Sequence, residues 1–413
     1  MKKVLALVGM TLALAAATSV RAADPVTITF WHTYNSDSNE NKTLTTQVIP
    51  AFEKANPGIK VNAQVIPYPD FRQKLLTSIA GDTAPDVARL DIIWSPEFAA
   101  MGALQQLDKM SGFATLKAGV FKGPLSTNFY KGGYYGLPLD TNTQVMLYNV
   151  DALKAAGIAQ PPVTVTQLKA DLTKLQKKQG DKVTGWGFVV PGPYNWNLLP
   201  WIWSNGGDIV SPDYTKASGY LNGPKTVAAI QMLYDWYKAG LIAPTLGGAG
   251  LGSWEGMGSG AYAMTQDGPW TYPALKAQYK DLNVAHALFP RGSAGSISVV
   301  GGENIAMFKG SKNKDAAWKF MQFMLSPTAQ MMMATTGQIP VINAALKDPY
   351  IVNHPYYGLY LQQLKTAKAR TPIPQYAKME EIIQGAFADI FGGKQTVKAA
   401  LDAAAVKVDD LLK

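Results

Sequence analysis

The chain has 413 residues, enough at about 150 residues per domain for two or three domains and a large buried core. Hydrophobic residues make up 47%, charged residues only 16% and aromatics 10%, with 10 Trp and 19 Tyr; this composition excludes a disordered chain and leaves many rings to be explained. The formal net charge of +9 is spread thinly, and no basic run of five or more occurs outside the N-terminus, which argues against a nucleic-acid surface.

Lys2-Lys3, the apolar stretch Val4 to Ala17 and the small-residue site Val20-Arg21-Ala22 read as a secretory leader, residues 1–22, cleaved near Ala22. The apolar stretch is shorter than the roughly 20 residues that cross a bilayer. Cysteine is absent, so no lipidated cysteine can follow the leader, and a free periplasmic protein is expected. A core of this size does not need disulfides. Val26 to Phe30 alternates as a strand and ends in the polar loop Trp31-His32-Thr33-Tyr34-Asn35. Asn41 to Asn56 carries Leu44, Val48, Ile49 and Phe52 at helical spacing, stopped by Pro57-Gly58. A strand over Ile59 to Ile66, a helix over Asp70 to Ile79 and a strand over Asp86 to Trp94 complete a βαβαβ order. That order predicts an α/β fold with a mostly parallel sheet flanked by helices.

The turn-rich Gly132 to Asp140 segment, followed by a strand over Gln144 to Asn149 and a helix over Val150 to Ala156, marks a first crossing between domains. A second α/β unit runs to about Ser298, with the aromatic stretch Tyr194 to Trp203, a helix over Pro224 to Ala239 and the Gly-rich stretch Gly247 to Gly260. The strand pattern resumes at Ile297 to Gly302, where a second crossing is expected; an amphipathic helix covers Asp315 to Leu325, and Val397 to Leu412 caps the fold. P-loop, dinucleotide, nucleophile-elbow and zincin motifs are all missing. The three histidines, His32, His286 and His354, are far apart in sequence, so neither a transition-metal site nor another cofactor is expected.

Several short pieces recur in one order: Phe30-Trp31-His32, Ala84-Pro-Asp-Val87, Glu97-Phe-Ala99 with Gly102-Ala-Leu104, Tyr135-Gly-Leu-Pro138 with Leu147-Tyr-Asn149, Asp267-Gly-Pro-Trp270, Gly301-Gly302 and Gln395-Thr-Val397. In this order and spacing, over nearly the whole chain, they resemble the extracellular solute-binding proteins of ABC importers, in the family that includes maltose-, trehalose- and glycerol-phosphate-binding members. The resemblance implies a two-lobed periplasmic-binding-protein fold, each lobe a central mostly parallel sheet flanked by helices, with a hinge between. The N-terminal lobe would comprise 24–138 and 301–336, and the C-terminal lobe 139–300 and 337–413. It also implies a monomer that performs no chemistry. The captured solute would pass to the transmembrane permease subunits and their cytoplasmic ATPase.

A sugar cleft needs rings that stack on sugar faces beside carboxylates and amides that bind paired hydroxyls. The resemblance places a stacking ring at Trp270, with Tyr272 two residues on, carboxylates at Asp91 and Asp140, and an aromatic at Trp196 with Asn197 beside it. His32, Tyr34 and Asn35 are candidates in the first loop. Gly301 and Gly302 would let backbone approach a ligand, with Glu303 or Asn304 adding a polar group, and Arg72 could meet a hydroxyl or an anion. Where maltose binders carry a further stacking Trp, Ile373-Pro-Gln375 is followed by Tyr376 and then Glu380; a ring is lost, which Tyr376 would replace, and a carboxylate is gained. A di- or oligosaccharide is the expected ligand. Glycerol 3-phosphate or a phosphodiester, hinted at by Phe30-Trp31-His32, is an alternative that requires converging Arg, Lys and backbone N–H groups. A secreted glycoside hydrolase, with two carboxyls about 5 to 10 Å apart, is another.

Overall fold

A computed structural model describes residues 24–413; the expected leader lies outside the described residues. The first three strands form at Val26–His32, Ile59–Val65 and Val87–Asp91, where alternation or an apolar run predicted them, the first running two residues further than expected, through Trp31 and His32. The first pairs in parallel with both others, Ile28 opposite Val61 and Phe30 opposite Val87. Ile28, Phe30, Val87 and Leu90 are buried because covering helices close both faces of the sheet. The helix Tyr68–Ala80 between the second and third strands buries Phe71 and Leu75 on one stripe.

The rest of this sheet arrives by another route. The long strand Val299–Met307 returns from the second lobe and runs antiparallel to Val87–Asp91, with Leu137–Thr143 antiparallel on its other edge and Lys368–Ala369 parallel beside its start. The sheet is therefore mixed, because only strands linked by a helical crossover within one lobe are driven into parallel pairing. In the second lobe Val145–Asn149 lies between Met264–Asp267 and Val284–Ala287, antiparallel to both. Single parallel bridges such as Val189 to Thr265 extend it. Helices Asn195–Ser204, Pro224–Lys238, Tyr376–Phe391 and Val397–Leu412 cover this lobe.

The passages between lobes differ from the sequence expectation in position. Leu137–Thr143 still pairs in the first sheet, so the first crossing falls at the buried Gln144 rather than at 138. The second falls beside it, since the Ser298 hydroxyl donates to the Gln144 carbonyl at 2.7 Å. Residues beyond 336 also remain with the first lobe: Val341, Ile342 and Ala345 share the apolar cluster of Ile28 and Phe30. The chain visits the first sheet once more at Lys368–Ala369. Among the described residues, no helix is long and apolar enough to cross a membrane.

Candidate functional site

Two adjoining cavities of about 630 and 480 Å³ open between the lobes and share Tyr68, Trp270 and Glu303. The first-lobe wall is set by strand register. Glu303 stands opposite Asp91 on one neighbouring strand and opposite Asp140 on the other, and an irregularity in pairing after Glu303 marks the spot. Three carboxylates thus lie side by side across three strands, an arrangement that repels unless cations intervene.

Two buried arginines intervene. Arg89, two residues before Asp91 on the same strand, donates to Thr33 Oγ1 at 2.7 Å and pairs with Glu303 at 2.7 Å and Asp140 at 3.4 Å. Its guanidinium lies 4.1 Å from the centre of the Tyr34 ring. Arg370, just past the last visit to the sheet, donates to Asp91 at 2.8 Å. The Tyr68 hydroxyl donates a hydrogen bond to the other Asp91 oxygen at 2.8 Å. Burial still dominates at Glu303: its carboxyl is pushed well above the ordinary range, with Arg89 opposing and Asp140 adding to the rise. Glu380, on the second-lobe helix Tyr376–Phe391, is raised to about 7, first by burial, with Arg370 opposing and Asp91 adding.

The second-lobe wall is aromatic. Trp196 and Trp270 stack at 6.4 Å between ring centres with planes 29° apart. Each sits at the start of a helix, Asn195–Ser204 and Thr271–Gln278. A third ring, Trp254, lines the larger cavity and donates its indole N–H to Asp267 at 3.0 Å. Asp267 also accepts the Gly268 N–H at 2.8 Å, so the turn that carries Trp270 is tied to Trp254 through one carboxylate. Gly268 lies against the Trp270 ring and Gly301 against Trp196 and Asn142; a Cβ at either would collide with its neighbour. Arg370 lies 5.6 Å from the Trp196 ring centre and links the charged wall to the aromatic one.

A family model of bacterial extracellular solute-binding proteins matches residues 47–357. The chain belongs to this family. A binding protein of Brucella abortus is 28% identical over 378 residues, 89% of each chain. A maltotriose-binding protein of Pyrococcus abyssi is 26% identical, over 78% of this chain and 69% of the relative. The sn-glycerol-3-phosphate-binding periplasmic protein of Salmonella typhimurium is 26% identical, over 97% and 96%. Among solved structures, the GacH receptor of Streptomyces glaucescens, determined unliganded and with acarbose, superposes with a TM-score of 0.85 at 25% identity, over 94% of this chain and 98% of that one. The two-lobed α/β fold expected from the solute-binding resemblance is the fold observed.

Of the residues singled out in the sequence of this solute-binding chain, Tyr34, Asn35, Asp91, Trp196, Trp270, Gly301, Gly302 and Glu303 line the cleft. Asp140 lies behind Tyr34, turned to Arg89. Six others are seated elsewhere. His32 is the buried middle rung of a ring ladder, 5.5 Å from Phe30 and 5.4 Å from Tyr34, with its pKa lowered to about 4 by burial and then by Arg89. Arg72 is held by Glu97 at 2.5 Å and Glu381 at 3.6 Å. Asn197 binds Gln144 and the Gly192 carbonyl. Tyr272 packs against His286 and Tyr356. Tyr376 is buried in the second-lobe core. Asn304 likewise turns inward, to Asn128 and Ser95.

Helical geometry accounts for two of these. Successive helix residues turn by about 100°, so Asn197 leaves the face of Trp196, and Tyr272, about 200° from Trp270, faces the opposite way. The sequence reading missed Tyr68, Arg89, Asn142, Trp254 and Arg370. Arg89 sits inside an apolar strand run and Trp254 in a Gly-rich stretch without periodicity; only Tyr68 had a signal, one helical turn before Arg72.

Proposed function

We propose that this solute-binding protein is the carbohydrate-binding component of an ABC importer, taking a di- or oligosaccharide between its lobes by hinge closure. It acts outside the cytoplasmic membrane, as a periplasmic monomer after removal of its leader. The sugar passes to the transmembrane permease subunits, driven by their cytoplasmic ATPase. Neither a cofactor nor a bond-breaking step is required. Closure is a population shift toward the state in which both walls touch the ligand. The maltotriose-binding relative and the acarbose receptor support this reading.

The observation that carries the proposal is the facing of a tryptophan wall and a carboxylate wall across one cleft. Rings at Trp196, Trp254 and Trp270 suit the apolar faces of sugar rings, and Asp91 and Glu303 suit paired hydroxyls. The glycerol-phosphate relative favours a second reading. Against it, a phosphate needs unneutralised cations, whereas Arg89 and Arg370 already face Asp140, Glu303 and Asp91. A thermal-shift screen of ligand-stripped protein against mono-, di- and oligosaccharides and glycerol phosphates tests the choice. A rise in melting temperature with a saccharide is expected; a rise with glycerol phosphates alone would select the second reading.

A further inference from the structure

The cleft is acidic in a protein that is otherwise basic. Its lining carries Asp37, Glu40, Asp91, Glu303 and Glu380 against only Arg89 and Arg370, with no lysine, although the whole chain bears +9. The two arginines are committed to Asp91, Asp140 and Glu303. Asp37, Glu40 and Glu380 have no cationic side chain within ion-pair distance among the described residues. A second observation points the same way: Asn142, only 4% exposed and lining the cleft beside Trp196, has its side-chain carbonyl oxygen without a donor. A buried acceptor without a partner is costly to leave unpaired, so such a site is complete only when a donor enters.

A metal ion is a poor candidate for that donor, because no cluster of three or more His, Asp or Glu side chains is arranged to hold one among the described residues. An ammonium group fits better. It brings one positive charge and three N–H donors, and the rings of Trp196 and Trp270 offer faces that attract a cation. Building on the carbohydrate reading, we propose that the preferred ligand is an amine-bearing saccharide, its ammonium seated in the compartment lined by Asp91, Asn142, Trp196 and Glu380.

The groups facing Glu380 are Arg370, Asp91, Tyr68, Tyr376 and Glu381, one cation among three acidic or phenolic neighbours and a further carboxylate. Crowding and burial hold its carboxyl up at about 7. An arriving ammonium favours the ionised form, so binding near pH 6 releases a proton from Glu380 to buffer.

Calorimetric titration of ligand-stripped protein with matched disaccharides tests this: glucosamine and galactosamine disaccharides, their N-acetylated counterparts, and the plain neutral sugars, each in two buffers of different ionisation enthalpy at pH 6. The amine form is expected to bind at least tenfold more tightly than its neutral partners, with proton release. Glu380→Gln should weaken the amine form about tenfold and the neutral forms less than twofold. The exposed Asp37→Asn, which carries little folding risk, should weaken the amine form about two- to threefold only. Equal or tighter binding of neutral sugars overturns this inference and leaves the carbohydrate reading standing, whereas silence toward every saccharide overturns both.

Discussion

The first-lobe wall of the cleft carries its charges on strand ends, where register puts Asp91, Glu303 and Asp140 side by side, while the second-lobe wall carries rings at helix starts. The charged wall around Arg89 is complete within one lobe: Thr33, Tyr34, Asp140 and Glu303 all belong to it. The contacts of Arg370 span the cleft instead, from Asp91 to Trp196 with Glu380 nearby. One wall is held together inside its own lobe, while the other meets it through Arg370 and Glu380, an arrangement that the proposed hinge closure around a ligand would use.

Removing Arg89 should have the largest effect. Arg89→Ala strands two buried carboxylates, and the loss of one partner of a buried ion pair costs about 3 to 5 kcal/mol. Urea unfolding should show that loss with or without ligand. Removing Trp270 should leave folding nearly intact and act on binding. The loss of a buried ring contact costs about 1.5 to 3 kcal/mol, which is about 10- to 150-fold in Kd by calorimetry. If Trp270→Ala unfolds the protein as readily as Arg89→Ala, the division of labour between the walls is wrong.

Glu380 gives an effect of intermediate size with a definite sign. Its carboxyl sits at about 7 when folded, above the unfolded value of about 4.3. Its contribution to stability is therefore full below the unfolded value and is lost as pH rises through 7. Glu380→Gln should melt progressively higher than the parent between pH 5 and pH 8, and an unchanging gap between the two would remove the buried-carboxylate account. The smallest effect belongs to Arg72, a quarter exposed and held away from the cleft by Glu97. Arg72→Ala should cost under about 1 kcal/mol of stability and shift saccharide affinity less than about threefold.

The parts legible in the sequence were those with local signals. The strands at 26 and 59 follow from alternation, the strand at 87 from its apolar run and the terminal helix Val397–Leu412 from its apolar spacing, whereas Trp270 was marked by the family resemblance. The helix Asn195–Ser204 was hidden because apolar residues occupy all its faces and Pro200 lies inside it. The arginines escaped notice for a different reason. Arg89 and Arg370 are 281 residues apart in sequence, and their roles arise from strand register and from the late return of the chain to the first sheet. Periodicity carries no information about such pairings. Glu380 stood out in the sequence as a lost ring, but its raised pKa depends on Arg370 and Asp91 arriving from elsewhere.

The most direct test of a sugar held between a ring wall and a carboxylate wall is calorimetric titration of ligand-stripped parent and Trp270→Ala with the best saccharide and with sn-glycerol 3-phosphate. The account predicts saccharide binding by the parent, at least tenfold weaker in the variant, and no response to the phosphate. Tight binding of glycerol 3-phosphate that survives the loss of Trp270, with no saccharide response, would contradict it.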